Sequence, residues 1–169
     1  MRRLREERGA SAVEFAIIGS LLLLILFGTI QFGITFNRYQ GLQSAAREGA
    51  RLGSLQATTR SDIVNRVRDS VSIIASSAIS NGSCTPGSLS LDNGCVRIYA
   101  KQKPAATCPG AQCVEVVSGS TSQTPCGAAY SGTDKSVVVQ VHYRLKLDIP
   151  LWASPQMTIA GGAEFKCEN

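Results

Sequence analysis

Glu14 is the residue of this 169-residue chain that is hardest to explain as structure alone. It follows Gly9, where a basic leader ends, by five positions and stands at the mouth of an uncharged run from Phe15 to Asn37. A carboxylate in the first turn of a helix is favoured by the helix dipole and can reach bilayer headgroups, and that is its simplest role. Gly9 suggests another. Hydrolysis of the Gly9–Ala10 bond would put a new α-amino group on Ala10, four residues before Glu14. In subunits staggered along an assembly, the amine of one chain would meet the Glu14 carboxylate of its neighbour. Such a pair would neutralise both charges at low dielectric and set the stagger between subunits. Gly9 and Ala10 are thus the candidate processing residues, and Glu14 with Phe15 the candidate docking residues.

The cysteines are the second group with chemistry to offer. Cys84, Cys95, Cys108, Cys113, Cys126 and Cys167 all lie beyond the apolar run. An even number confined to one segment reads as disulfides in an oxidising compartment. Fifteen pairings are open. Joining sequence neighbours would pair Cys84 with Cys95 and Cys108 with Cys113, leaving Cys126 for Cys167. Zinc is the weaker reading, because no Cys-x-x-Cys spacing occurs and the single histidine, His142, falls in the middle of a strand pattern. His142 also has no nucleophilic or acidic motif around it, so a solvated strand histidine is expected. Asp92, Glu115, Asp134 and Asp148 are scattered over loops and strand edges. Gly82 to Gly87 is turn chemistry and no phosphate cradle. Neither an enzyme nor a metal or other cofactor is expected. The formal charge of +5 resides partly in the leader and is otherwise dispersed, without the basic stripe and interleaved aromatics of a nucleic-acid binder.

The elements that position these residues follow from the hydropathy pattern. Mean hydropathy over the whole chain is near zero, yet residues 15–37 are uncharged and the rest is rich in Ser, Gly and Thr. As a helix the run would extend about 35 Å, roughly one bilayer core. Arg2, Arg3, Arg5 and Arg8 precede it, which keeps the N-terminus cytoplasmic and puts everything after Arg38 outside. A cleavable signal peptide is the rival, but the run is too long and Asn37-Arg-Tyr-Gln40 is a poor cleavage site. Helical character continues over 38–53, where Gly41, Ala45, Gly49 and Gly53 recur every fourth residue on one face and would let another helix approach closely. After a break, Thr59-Arg-Ser-Asp62 reads as a capping box. Ile63, Val67, Val71, Ile74 and Ala78 then mark an amphipathic helix over about 60–80, stopped by Asn81-Gly82. Strands are expected at 96–100, at 114–117 and most clearly at 136–149. In the last of these Val139, Val141, Tyr143, Leu145, Leu147 and Ile149 face inward, and Gln140, His142, Arg144, Lys146 and Asp148 face solvent. A final strand, 157–160 and 163–166, is interrupted by Gly161-Gly162. Residues 103–134 read as surface loops restrained by the disulfides.

The motifs Arg8-Gly-Ala-Ser-Ala-Val-Glu-Phe-Ala16, Phe27-Gly-x-x-Gln-Phe-Gly33 and Ala45-Ala-Arg-Glu-Gly-Ala-Arg51 closely resemble the TadE-like family, pseudopilins or minor pilins of tight-adherence (Flp, type IVb/IVc) pilus systems. The end of the chain, with Pro150-Leu151 and Ala163-Glu164, is compatible with the same family. The resemblance implies leader removal after Gly9 by a prepilin peptidase, Ala10 as mature N-terminus and Glu14 as the +5 glutamate. It departs from classical type IV pilins in having Ala10 where they begin with Phe, and from the major Flp pilin in having Glu14-Phe15 where that has Glu-Tyr. Implied partners are other pilins and pseudopilins, the inner-membrane Tad assembly platform, the prepilin peptidase and the lipid bilayer, with no nucleic acid.

The sequence thus predicts an α+β protein with a basic prepilin-type leader (1–9), a transmembrane and juxtamembrane helix (10–57, helical from about 11 to 53), and an extracytoplasmic domain (58–169). In that domain a second helix packs on an antiparallel sheet with disulfide-tied loops. It would sit in the inner membrane as a single-pass minor pilin, with its C-terminal domain outside or in the pilus. The alternatives are an unprocessed membrane-anchored binding module, using the loops at 103–134, and a secreted enzyme released by signal peptidase.

Overall fold

The computed structural model describes residues 3–71, 78–80, 84–102, 107–110, 112–117, 124–127, 134–147 and 154–168. Its first element, α1, runs unbroken through Arg3–Gly53, 51 residues. It begins in the leader, where the sequence reading starts it near residue 11. Arg, Leu and Glu are strong helix formers, so the leader has no local reason to break from the helix it precedes. The helix has two parts. Every residue from Ser11 to Asn37 is exposed or nearly so, including Leu21 to Phe27. An 18-residue window here has a mean hydropathy of 2.4, with none of it buried. This part is long and apolar enough to cross a membrane. From Leu42 onward the helix is docked, with Leu42, Ala45, Ala46 and Ala50 fully buried.

The second helix, α2 (Arg60–Ser70), opens on the expected capping box: the Thr59 hydroxyl accepts from the Asp62 amide, and the Asp62 carboxylate accepts from the Thr59 amide. It presents Ile63, Val64 and Val67 to α1 and the sheet. It ends ten residues before the boundary near 80 that apolar spacing suggests. Val71 is already extended, and its amide donates back to the carbonyls of Val67 and Arg68. A competing partner explains the early stop. Ile79–Ser80 forms strand β1 beside Gly94 and Cys95, and the Arg68 guanidinium holds the Ile79 carbonyl at 2.6 and 2.9 Å. Ile74 and the stop signal Asn81-Gly82 lie outside the described residues.

Strands β2 (Gly94–Lys101), β3 (Cys113–Glu115), β4 (Ser136–Lys146) and β5 (Gln156–Lys166) complete one sheet. Its order is β1-β2-β4-β5, with β3 sharing the β2 edge that β1 occupies at the other end. All contacts are antiparallel except the two-residue β1–β2 pairing, so the sheet is mixed where the sequence suggested purely antiparallel. Val96, Ile98 and Ala100 line up with Val141, Val139 and Val137. Together with Tyr143, Leu145 and Ile159, these residues form the core under α1 and α2. Each fully buried Val or Ile contributes about 1.5–3 kcal/mol relative to exposure. Leu147 packs at the margin of this core, and Ile149 lies outside the described residues.

The last strand is continuous across Gly161-Gly162, and the reason is the helix above it. A Cβ on Gly161 would lie 2.5 Å from the Leu42 carbonyl carbon and 2.6 Å from the Gln43 nitrogen. Backbone meets backbone there, which glycine alone permits. On Gly162 the same atom would find open contacts at 3.8 Å, and its amide donates to the Gln43 side chain at 3.3 Å. Gly161→Ala is therefore expected to destabilise the outer domain by about 1–3 kcal/mol. Gly162→Ala should be neutral or slightly stabilising, since it gains strand propensity without a clash. Thermal unfolding of the two variants in detergent would show equal midpoints if this close approach were not a constraint.

Candidate functional site

The residues expected to act are divided between the bare part of α1 and the outer domain. Gly9 and Ala10 lie inside the continuous helix, with no break at the bond between them. Glu14 and Phe15 are exposed, Phe15 at 78%. Among the described residues no hydrogen bond or ion pair reaches the Glu14 carboxylate. One helical turn separates Ala10 from Glu14. The outer end of the bare segment carries an aromatic ladder, in which Phe32 stacks on Phe36 at 6.0 Å and Phe36 on Tyr39 at 6.5 Å.

The small residues of 41–53 are spent within the chain. A Cβ on Gly49 would strike Val67 of α2, and one on Gly53 would lie 2.9 Å from Ile63 and 3.2 Å from Val137. Ala45 is fully buried and Gly41 half-buried. The helix admitted by this face is α2, together with strand β4 beneath it. Leu42, Ala46 and Ala50 belong to the same buried stripe.

The opposite face of the sheet is covered and polar. Cys84 is bonded to Cys95, Cys108 to Cys113, and Cys126 to Cys167. The first bond fastens the turn before β2, the second closes the loop leading into β3, and the third ties a loop to the chain end beyond β5. In the chain-entropy description a closure of the Cys126–Cys167 separation, 41 residues, stabilises by about 4 kcal/mol, and the short Cys108–Cys113 closure by about 2 kcal/mol. Beneath these loops Arg97 grips Glu115 through two bonds, 2.9 and 2.7 Å, and stacks over the Tyr99 ring at 5.1 Å. Lys101, 6% exposed, donates to both Glu164 oxygens, and the Ser136 hydroxyl donates to one of them at 2.6 Å. The carboxylates that looked scattered in sequence are thus structural partners: Glu115 to Arg97, Asp92 to the Tyr143 hydroxyl, Asp134 to Lys166. Asp148 lies outside the described residues. Sequence reasoning missed Arg60, which is 4% exposed and donates to the carbonyls of Val116 and Val96. Its one signal was a lone arginine at the first position of an otherwise apolar helix face.

His142 corrects an expectation. It is half-buried, and its Nε2 is enclosed with no hydrogen-bond partner among the described residues. The polar strand face was read as facing solvent, yet the disulfide-bearing loops cover it, and Gln140 beside His142 donates to the Cys108 carbonyl. Burial, and secondarily the Arg97 charge, hold the imidazole below its ordinary value of 6.5. It is therefore neutral near pH 7.

The cleft of about 450 Å³ beside α2 and the 85–95 turn is lined by Arg68, Ser80, Thr85, Ser88, Ser90 and Asn93, without a nucleophile–base pair. Among the described residues no cluster of three His, Cys, Asp or Glu could hold a metal ion. The molecule is thus an apolar helix suited to single-pass anchoring, with a disulfide-tied α+β domain on its C-terminal half. Residues 9–51 match the family model for TadE-like proteins. That match covers Gly9, the bare segment and most of the docked segment of α1. No curated protein and no solved structure matches the chain.

The His142 environment makes a pH prediction. A proton binds the unfolded imidazole more readily than the folded one, so the stabilising contribution is complete above about pH 6.5 and declines as pH falls below it. The outer domain should unfold at a lower temperature at pH 5 than at pH 7.5. His142→Gln should flatten that dependence; an equal slope in both proteins would rule the histidine out as its source.

Proposed function

We propose that this protein is a minor pilin, or pseudopilin, of a Tad/Flp-type pilus, an assembly subunit with no catalysis of its own. The observation that carries the reading is the bare segment of α1 within the family-matched region. Twenty-seven residues of apolar helix, Ser11 to Asn37, stand free of the outer domain, with the Glu14 carboxylate exposed near their start. A prepilin peptidase cutting after Gly9 would make Ala10 the N-terminus. The Ala10 amine of one subunit then pairs with Glu14 of the next, and Phe15 packs beside them. Arg2, Arg3, Arg5 and Arg8 before the span support a cytoplasmic leader, and the disulfides support a C-terminal domain in the periplasm or beyond. The partners of this reading are other pilins and pseudopilins, the inner-membrane Tad platform and the peptidase, and its outcome is pilus assembly and surface adhesion.

A second reading, an unprocessed membrane-anchored binding module, draws on one observation. The helix passes through Gly9–Ala10 without interruption, so no local break marks a cut. N-terminal mass spectrometry of the membrane-extracted protein separates the two: a start at Ala10 is expected, and an intact Met1 favours the anchor. Glu14→Ala should leave the Ala10 amine unpaired at low dielectric. Losing one partner of such a buried pair costs about 3–5 kcal/mol per contact, so pilus number and adherence should fall sharply while membrane insertion and cleavage persist. Unchanged piliation would defeat the pairing.

A further inference from the structure

The bare segment of α1 is apolar on nearly every side, so most of it needs only lipid around it. One strip differs. The ladder of Phe32, Phe36 and Tyr39 leads up to Gln43, whose side-chain amide donates to the Tyr39 hydroxyl at 2.9 Å. The Gln43 side-chain oxygen in turn accepts from the Gly162 amide at 3.3 Å. Followed downward at helical spacing, the same strip takes in Gly28, Ile25, Leu21, Ile18 and Glu14. It flanks the docked stripe and emerges beside β5, the last strand in the order of the sheet. Among the described residues no strand lies beyond β5, so a second helix can follow the strip from Glu14 to Tyr39 without meeting the sheet.

The strip carries its own complement. Phe32 is 71% exposed, while a Cβ on Gly28 would find nothing within 4 Å. One is a knob and the other a hole, and they stand four residues apart. Gly19 and Gly33 are equally open but fall on other faces of the helix. Ala10 and Glu14 also stand four residues apart, and the upper pair repeats the lower after about five full turns, hence on the same side. A second copy displaced outward by four residues, about 6 Å, would bring its Gly28 against Phe32. The same displacement would bring the Ala10 amine of a cut chain to Glu14. Without that step, two copies side by side would set Phe32 against Phe32 and carboxylate against carboxylate, which like charges oppose. Acyl chains cover an apolar surface of any order and have no use for a recurring interval.

We propose that in the membrane this protein forms a parallel pair of copies packed along the strip, one standing about 6 Å further out than the other. Phe32 of the inner copy fills the space over Gly28 of the outer copy, where the glycine lets the two backbones approach closely. Both copies use the same strip, so the pair is closed, and the opposite face, at Leu23 and Phe27, is left to lipid or to other subunits. Within the pair only the inner copy's Glu14 gains an amine; that of the outer copy remains for a further subunit. The charged end of this contact rests on the cut-chain reading proposed above, whereas the step of Phe32 onto Gly28 does not.

The span lends itself to a direct test. Every native cysteine lies at position 84 or beyond and is held in a disulfide, so a cysteine introduced into the bare segment is the only free thiol. Two differently tagged full-length copies, one Leu21→Cys and one Ile25→Cys, would be co-expressed with a prepilin peptidase in a bacterial membrane and oxidised with copper phenanthroline. The mixed 21–25 product should exceed the 21–21 and 25–25 products. Leu23→Cys with Phe27→Cys, at the same interval on the opposite face, should give little. Gly28→Leu fills the hole without touching the outer domain, and it should remove most of the 21–25 product while membrane insertion persists. Equal products on the two faces, dominant 21–21 and 25–25 products, or a 21–25 product indifferent to Gly28→Leu would each overturn the pair. Absence of any product would overturn it too, leaving lipid on the strip. Piliation keeps the two readings apart. If Glu14→Ala abolishes pili and no 21–25 product forms, the pair alone fails; if the product forms and Glu14→Ala piliates normally, the amine pairing fails and the step of Phe32 onto Gly28 stands.

Discussion

The contact between Gly161 and the backbone of Leu42 governs the rest of this structure. Helices and sheets ordinarily pack through side chains, about 10 Å apart. Here the helix backbone rests on the strand backbone at one point, and a single methyl group would intrude on it. That closeness fixes the rotation of α1, because the stripe that continues upward from Leu42 must be the one of small residues: Ala45, Ala46, Gly49, Ala50 and Gly53. It also fixes the direction of the sheet, since Gly49 and Gly53 then fall over Val139 and Val137 in turn. The Gln43 side chain, accepting from Gly162, and the Glu168 amide, donating to the Ser54 carbonyl at 3.0 Å, pin the two ends of the contact. The bare and docked parts of one helix are consequently a rigid rod and its socket.

The sheet then has two faces with different physics. The face under the helices is dry and made of Val, Ile, Leu and Ala. The other carries charged pairs, and the domain is too small to bury it under a second helical layer. Disulfide-tied loops take that place. Ion pairs on a covered face are weak sources of net stability, since desolvation offsets much of the attraction. Arg97–Glu115 and Lys101–Glu164 are better understood as fixing which loop sits where, with the three cross-links supplying the energy. Among the described residues the Tyr99 hydroxyl and His142 Nε2 have no partner, a residual cost of covering a polar face with short loops.

Much of this was legible in the sequence, and the failures are informative. The apolar run, the capping box at Thr59–Asp62 and the inward face of β4 each depend on local periodicity, which sequence displays directly. The end of α2 depended on a non-local rival, the pairing of Ile79 with Gly94, and spacing alone could not reveal it. Gly161-Gly162 was visible as a departure from strand composition, yet its meaning required the helix it touches. The exposure of His142 was misjudged because strict alternation identifies two faces without saying whether loops cover the outer one. For Glu14 and Gly9 the residue types and spacing carried the idea, and the fold adds only that the carboxylate is exposed and, among the described residues, without a hydrogen-bond or ion-pair partner.

The division of α1 also limits where another subunit can bind it. Small residues four apart are an invitation to close helix packing, and residues 41–53 read alone would be assigned to contacts between chains. Val67, Ile63 and Val137 already fill that face, and displacing them would expose the dry core. Any helix that packs against α1 must therefore do so between Ser11 and about Gln40. In that stretch the surface offers few polar handles: Ser20 and Thr29 donate to carbonyls of their own helix, at Ile17 and Ile25. Glu14 is the one carboxylate on it. A partner held by apolar packing alone could slide along the rod with little penalty, whereas one that must also satisfy Glu14 has a single register.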